Sequence, residues 1–220
     1  MPAYKLQFDL RSAATFGRGD GVAGLVDEEV EHDADGLPFL RGRTLKGLLA
    51  EECANILYAL GVQQRADQWR QTAYRLFGCP GSTIADTGML RVSDARLPDA
   101  LRTAIKMAVR NGELSADEVL ESLTAIRRQP SMNEYGAPER GSLRSLRVVL
   151  PGTMFEATLE FAAEPDAQTL ALLVACILAW RRAGTGRNRG RGRLQARLID
   201  SDGVDITERY FRVFAGEVGQ

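Results

Sequence analysis
An α+β fold with helices laid against one sheet is what this sequence predicts, and three observations predict it. The opening stretch YKLQFDL alternates, so that Tyr4, Leu6, Phe8 and Leu10 share one face of a strand. Leu45, Leu48, Leu49, Cys53, Ile56, Leu57 and Leu60 recur at helical spacing. The same pair of signals returns late in the chain, where FEATLEF alternates and an apolar run from Leu170 to Trp180 follows it. The skeleton is strand, helix, strand, then an insertion, then strand, helix, strand. That is a ferredoxin-like βαββαβ core, the layout also used by RNA-recognition-motif modules. One domain is expected, with its core in about 1–97 and 147–214 and an insertion over about 98–146.

Taken in order, the first strand gives way to the glycine-rich loop SAATFGRGDGVAG, and Leu37 to Leu40 reads as a short strand. Thr44 is the expected N-cap of the first helix, and Gly61 its stop. Gln64 to Phe77 reads as a helix ended by Gly78, and GMLRVSDARL as strand-like. Asp99 to Arg110 and Ser115 to Ile126 read as two helices of the insertion. RRQPSMNEYGAPERGSL is polar and rich in Gly and Pro, which predicts a loop or a long protrusion. Asp166 is the expected cap of a helix to Arg182. RLQARLI is a strand, and RYFRVFA reads as another.

Composition narrows the function classes. The 220 residues carry a net charge of -1, so the surface as a whole is no indiscriminate polyanion binder. Charge is segregated instead. The stretch RRAGTGRNRGRGR, Arg181 to Arg193, holds six arginines, no acid, and glycines between them. Guanidinium forks and backbone N–H groups can approach a polyanion together there. Asp27 to Asp35 packs six carboxylates into nine residues, and Arg41, Arg43 and Lys46 follow at a helix start. Helix N-termini favour phosphate, and Gly42 and Gly47 permit close approach of a nucleic-acid backbone. The start lacks the apolar core of a signal peptide, and the longest apolar run is too short to span a bilayer. Cys53, Cys79 and Cys176 lie far apart, which predicts a cytoplasmic, disulfide-free protein without a zinc site or membrane partner. His32 is the only histidine, so chemistry that needs an imidazole pair is excluded.

Four segments then resemble one family. GLPFLRGRTLKGLL is similar to a glycine-proline turn leading into a Ser-Leu-Lys-Gly helix start, although Arg41 stands where a proline is common and Arg43-Thr44 replaces a serine pair. LFGCPG followed by GMLRVSDA, then GAPERGSLRSLRVVLPGTMFEATLEF, then GTGRNRGRGRL come in the same order as in that family. The family is the RAMP superfamily of CRISPR RNA-binding proteins, and the likeness is greatest to the backbone subunit of type III effector complexes.

The resemblance implies a fold and a job. The insertion would form a thumb, and copies of the chain would polymerise along a guide RNA beside other effector subunits. The guide would pair with target RNA, and each thumb would displace a nucleotide, with Met132, Tyr135 and Pro138 as wedge residues. Asp27 matches the cleavage-loop aspartate of cleaving members. A carboxylate there can act on the attacking 2′-hydroxyl or hold a divalent metal ion, magnesium or manganese. Arg41, Gly42, Arg43 and Lys46, with Arg187, Arg189, Arg191 and Arg193, are the expected RNA contacts. The cations would hold the guide, and the acids just upstream would face the target. Two alternatives stand beside this metal-dependent endoribonuclease: a non-catalytic RNA-binding scaffold, and a stand-alone endoribonuclease that processes guide RNA.

Overall fold
The computed structural model describes residues 3–62, 66–79, 88–130, 134–137, 139 and 141–219. Its main sheet has four antiparallel strands in the order β2(Leu90–Val92), β5(Met154–Phe161), β1(Tyr4–Leu10), β6(Leu194–Ile199). Helix α1(Gly42–Val62) joins β1 to β2, and α5(Ala167–Ala179) joins β5 to β6. The expected ferredoxin-like core is therefore present, with β1 central and paired to both β5 and β6.

The alternation of β1 does what the pattern predicted. Tyr4, Leu6, Phe8 and Leu10 are buried with Leu45 and Leu49 of α1 and Leu170, Leu173, Val174 and Ile177 of α5. Each such side chain contributes about 1.5–3 kcal/mol when fully buried. Phe8 stacks on Phe155 at 5.2 Å and meets Trp180 edge-on at 5.0 Å. The opposite sheet face is polar. Gln7 bonds Glu156 at 2.7 Å and Arg197 bonds Gln7 at 3.0 Å. None of its strand residues is aromatic, so it lacks the rings on which RNA-recognition motifs stack bases.

Helix α5 is apolar all round because it is covered all round, by α1, α2(Asp67–Phe77) and the C-terminal α6(Thr207–Val218). That last helix corrects the strand expected at RYFRVFA. Tyr210, Val213, Phe214 and Val218 recur at three- and four-residue spacing and pack inward, Phe214 on Trp69 at 4.9 Å. Leu37 to Leu40 forms only isolated bridges, not a strand. Thr44 lies inside the first turn of α1 rather than capping it.

Between β2 and β5 the chain forms α3(Asp99–Arg110), α4(Ala116–Leu123) and a two-stranded hairpin, β3(Thr124–Gln129) with β4(Arg144–Val149). Ser115 and Glu118 cap α4 reciprocally. The hairpin departs from the expected continuous helix to Ile126 and the expected loop up to Leu143. The helix ends at Leu123 because Thr124 turns into an extended conformation, its hydroxyl donating back to the Leu120 carbonyl.

Candidate RNA interface
The acidic stretch does not hang free. It runs beside β4 as an irregular strand, with Glu28 bridged in parallel to Leu146 and Gly17 bridged to Val30. Four of its six carboxylates pair with cations within the protein. Glu29 is buried and accepts from Arg147 Nε at 2.8 and 3.0 Å, while Arg147 Nη1 donates to Thr124 at 3.2 Å. Glu31 takes Arg41 in a two-point grip, with Nη2 3.0 Å from Oε2. Asp33 faces Arg96 and Lys106 at 3.5 and 3.7 Å, and Asp35 faces Lys106 at 3.4 Å. Of the three cations that follow the acids in sequence, Arg41 meets one of them in the fold, while Arg96, Lys106 and Arg147 arrive from later in the chain.

Asp27 is exposed and forms no ion pair among the described residues, although the charge of Arg144 acts on it. Its Oδ2 accepts from the Ser145 backbone N–H at 2.6 Å and the Ser145 hydroxyl at 3.1 Å. These two bonds, the backbone one first, hold its pKa below the usual carboxylate range. The other oxygen, Oδ1, accepts no hydrogen bond from another described residue. Ser145 had no signal in the sequence, since it lies 118 residues from Asp27.

The expected contacts at the start of α1 are placed as follows. Gly42 N–H is capped by Asp94 Oδ1 at 3.0 Å, and a Cβ on Gly42 would run into the Val92 carbonyl. Packing against the end of β2 therefore explains this glycine. Lys46 is half-buried and donates to the Leu90 carbonyl at 2.8 Å, and burial lowers its pKa. Arg43 is exposed.

The glycine-rich loop between α5 and β6 closes the site. Gly192 sits at φ 64° against the Ala183 carbonyl, where a Cβ would collide, so the loop folds tightly onto its own stem. Arg187, Arg189 and Arg191 line a cleft of about 480 Å3, with Glu28, Gln129 and Leu146 on its other wall. A smaller cleft of about 270 Å3 continues through Gly184, Thr185 and Arg187 to Arg41 and Thr44. Arg187 pairs with Glu51 at 3.0 Å and Arg191 with Gln129 at 2.8 Å, while Arg189 and Arg193 have no side-chain partner among the described residues. So Arg41, Arg187, Arg189 and Arg191 line two clefts that share Gly184, Thr185 and Arg187, whereas Lys46 is drawn to the sheet. Asp27 adjoins the larger cleft through its neighbour Glu28. Tyr135 is exposed at a turn between β3 and β4, and Met132 and Pro138 lie outside the described residues.

No three His, Cys, Asp or Glu side chains converge as metal ligands among the described residues. A dedicated cage is therefore absent from them. Magnesium asks for less, since one or two carboxylates plus substrate phosphates hold it, and Asp27 Oδ1 is the oxygen it would take. Among the described residues no helix is long and apolar enough to cross a membrane.

Comparison with known proteins places this geometry. No curated protein sequence matches the chain. Among solved structures, a chain of type III-B Cmr-beta in its apo state superposes with a TM-score of 0.63 at 15% identity, over 92% of this chain and 98% of that one. A chain of type III-B Cmr-beta bound to cognate target RNA gives 0.62 at 14% identity, over 95% and 98%. At such identities the likeness is one of fold. The model of the RAMP superfamily matches residues 8–195, most of the sequence, and the chain therefore belongs to the RAMP superfamily.

Proposed function
We propose that this protein is a guide-RNA-binding backbone subunit of a type III CRISPR interference complex and that it cuts complementary target RNA at Asp27. The observation that carries the reading is the placement of one exposed carboxylate, in no ion pair among the described residues, beside an arginine-lined groove, pinned there by Ser145. Guide phosphates would follow Arg187, Arg189 and Arg191, with Arg41 and Arg43 at the head of α1. The fold shared with a chain of Cmr-beta bound to cognate target RNA supports the same assignment.

In the proposed cut, the 2′-hydroxyl oxygen of the target bonds to the adjacent phosphorus as the bond to the 5′-oxygen breaks in line. The hydroxyl proton passes to solvent water, and the departing 5′-oxygen takes one up from water. Asp27 is held as a weak base, because Ser145 pushes its pKa away from the neutral range where proton abstraction is most effective. Its role is then to accept a hydrogen bond from the hydroxyl and align it. A magnesium or manganese ion, held by Asp27 and the RNA phosphates, would supply charge neutralisation.

The second reading, a non-catalytic scaffold, draws on the same bonds, since joining a loop to a hairpin is also ordinary structural work for an aspartate. Asp27→Asn separates the two. It keeps an acceptor for Ser145 and removes the charge. The expected result is a loss of target cleavage of about 100-fold or more, with guide and target binding within two-fold of wild type. Cleavage at the wild-type rate would overturn the assignment to Asp27. A wild type that never cuts a paired target in magnesium or manganese would leave the scaffold, and cutting that survives a chelator would remove the metal.

A further inference from the structure
A second cleft, of about 580 Å3, opens at the edge of the sheet beside β6. Arg11, Arg181, Arg182 and Arg193 line it, and no carboxylate does. The backbone forces these cations together. Arg11 N–H donates to the Arg193 carbonyl at 2.6 Å, Arg182 and Arg193 form an antiparallel bridge, and Leu194 N–H donates to the Arg181 carbonyl at 3.0 Å. Like charges directly opposite across such a bridge repel. Nothing described relieves them. Arg11 reaches only Gln195 and Arg182 only the Arg187 carbonyl, both neutral acceptors. The side chains of Arg181 and Arg193 have no partner among the described residues. Trp180 stands in the same wall, 2% exposed, and its buried indole N–H also lacks an acceptor.

Four uncompensated guanidinium groups and an orphaned donor describe a site for a polyanion rich in oxygen acceptors. We propose that this cleft is a second RNA site, which takes phosphodiester groups of a single strand with Arg11, Arg181, Arg182 and Arg193 as their ligands. The inference rests on the reading of the protein as an RNA-binding subunit. An acidic partner protein would also answer the charge. RNA is favoured because Gly190 and Arg193 belong to the same loop as Arg189 and Arg191, so one strand following that loop meets both clefts.

The test uses the full chain and a fluorescein-labelled single-stranded oligouridylate, with anisotropy followed across a range of potassium chloride. Arg11→Gln/Arg181→Gln/Arg182→Gln should weaken binding about ten-fold and lower the slope of log affinity against log salt by about 2, from ~0.7 per phosphate contact on single strands. Arg181→Gln alone, which breaks no described side-chain bond, should lower the slope by about 0.7. Trp69→Phe leaves Trp180 as the only tryptophan, and its emission should shift on RNA addition and return with salt. Unchanged slopes in both arginine variants would overturn the proposal, as would RNA binding that stays normal while self-association is lost. Arg187→Gln/Arg189→Gln/Arg191→Gln separates the two levels of failure. If it alone loses affinity, the second cleft is no RNA site and the first reading stands. If the wild type binds no oligouridylate, the RNA-binding reading falls and this inference with it.

Discussion
Arg147 and Arg41 each grip a glutamate of the acidic loop, and burial separates their weight. The Arg147–Glu29 side chains are 7% and 2% exposed, whereas Arg41 in the Glu31 pair is 45% exposed. Removing one partner of a buried pair strands the other charge, so Arg147→Ala should cost about 3–5 kcal/mol. Arg41→Ala should cost much less than Arg147→Ala, because water screens that pair. Urea unfolding reads both. Glu29→Leu/Arg147→Met, which removes both charges, should recover most of the loss. A cost within about 1 kcal/mol for Arg147→Ala would mean that the acidic loop is not locked to the hairpin by this pair. The residue scale is also where the sequence is least legible. Asp27 stood out only through resemblance to a family. Ser145 and Arg147, which position Asp27 and Glu29, are each 118 residues distant and carry no local pattern. The pairing of Glu31 with Arg41 was hidden for a different reason: adjacent clusters of opposite sign are compatible with two external partners or with each other, and only the fold decides.

At the scale of elements, the caps were partly readable and the end of the chain was not. Asp166 was legible as the N-cap of α5, and it accepts from Thr169 N–H at 2.7 Å and from Arg75 at 2.9 Å. Hydrogen bonding from Thr169, and then Arg75, lowers its pKa. The sign follows from that depression. The stabilisation is full above the unfolded aspartate pKa of about 3.9 and is lost as the pH falls through the lower folded value. Asp166→Ala should therefore cost about 1 kcal/mol at neutral pH and less in acid, read as a converging pair of stability–pH curves. Parallel curves down to the acid limit would show that the cap carries no charge-linked stability. By contrast, RYFRVFA misleads because three aromatics beside two arginines fit a strand and a helix equally over so short a window. The covering of α5 decides for the helix. The β3–β4 hairpin was masked in the same way, since TAIRRQ and RSLRVV flank a Gly- and Pro-rich stretch and their partner strands are each other rather than the main sheet.

For the whole molecule the informative quantity is charge placement rather than the net charge of -1. Four acids of the loop are paired inside the fold, and the arginines around the glycine-rich loop line two clefts that flank it. The helix-free sheet face has no aromatic ring among its strand residues and is instead tied up by Gln7, Glu156 and Arg197. A chain so built has a track for a polyanion backbone and no ring on that face for stacking bases, which suits a subunit held to its guide through phosphates. The proposed backbone role then predicts an outcome that mass measurement can read. The free chain should run as a species of 24.1 kDa. With single-stranded RNA of increasing length, complexes should grow in whole-subunit steps, and the number of copies should rise with RNA length at fixed spacing. Raising salt should dissolve them, because each copy gives up its phosphate contacts to returning counterions. One copy per RNA at every length would overturn the repeated-subunit role and leave a solitary RNA-binding or RNA-processing protein, for which cutting of a single-stranded guide precursor would be the next assay.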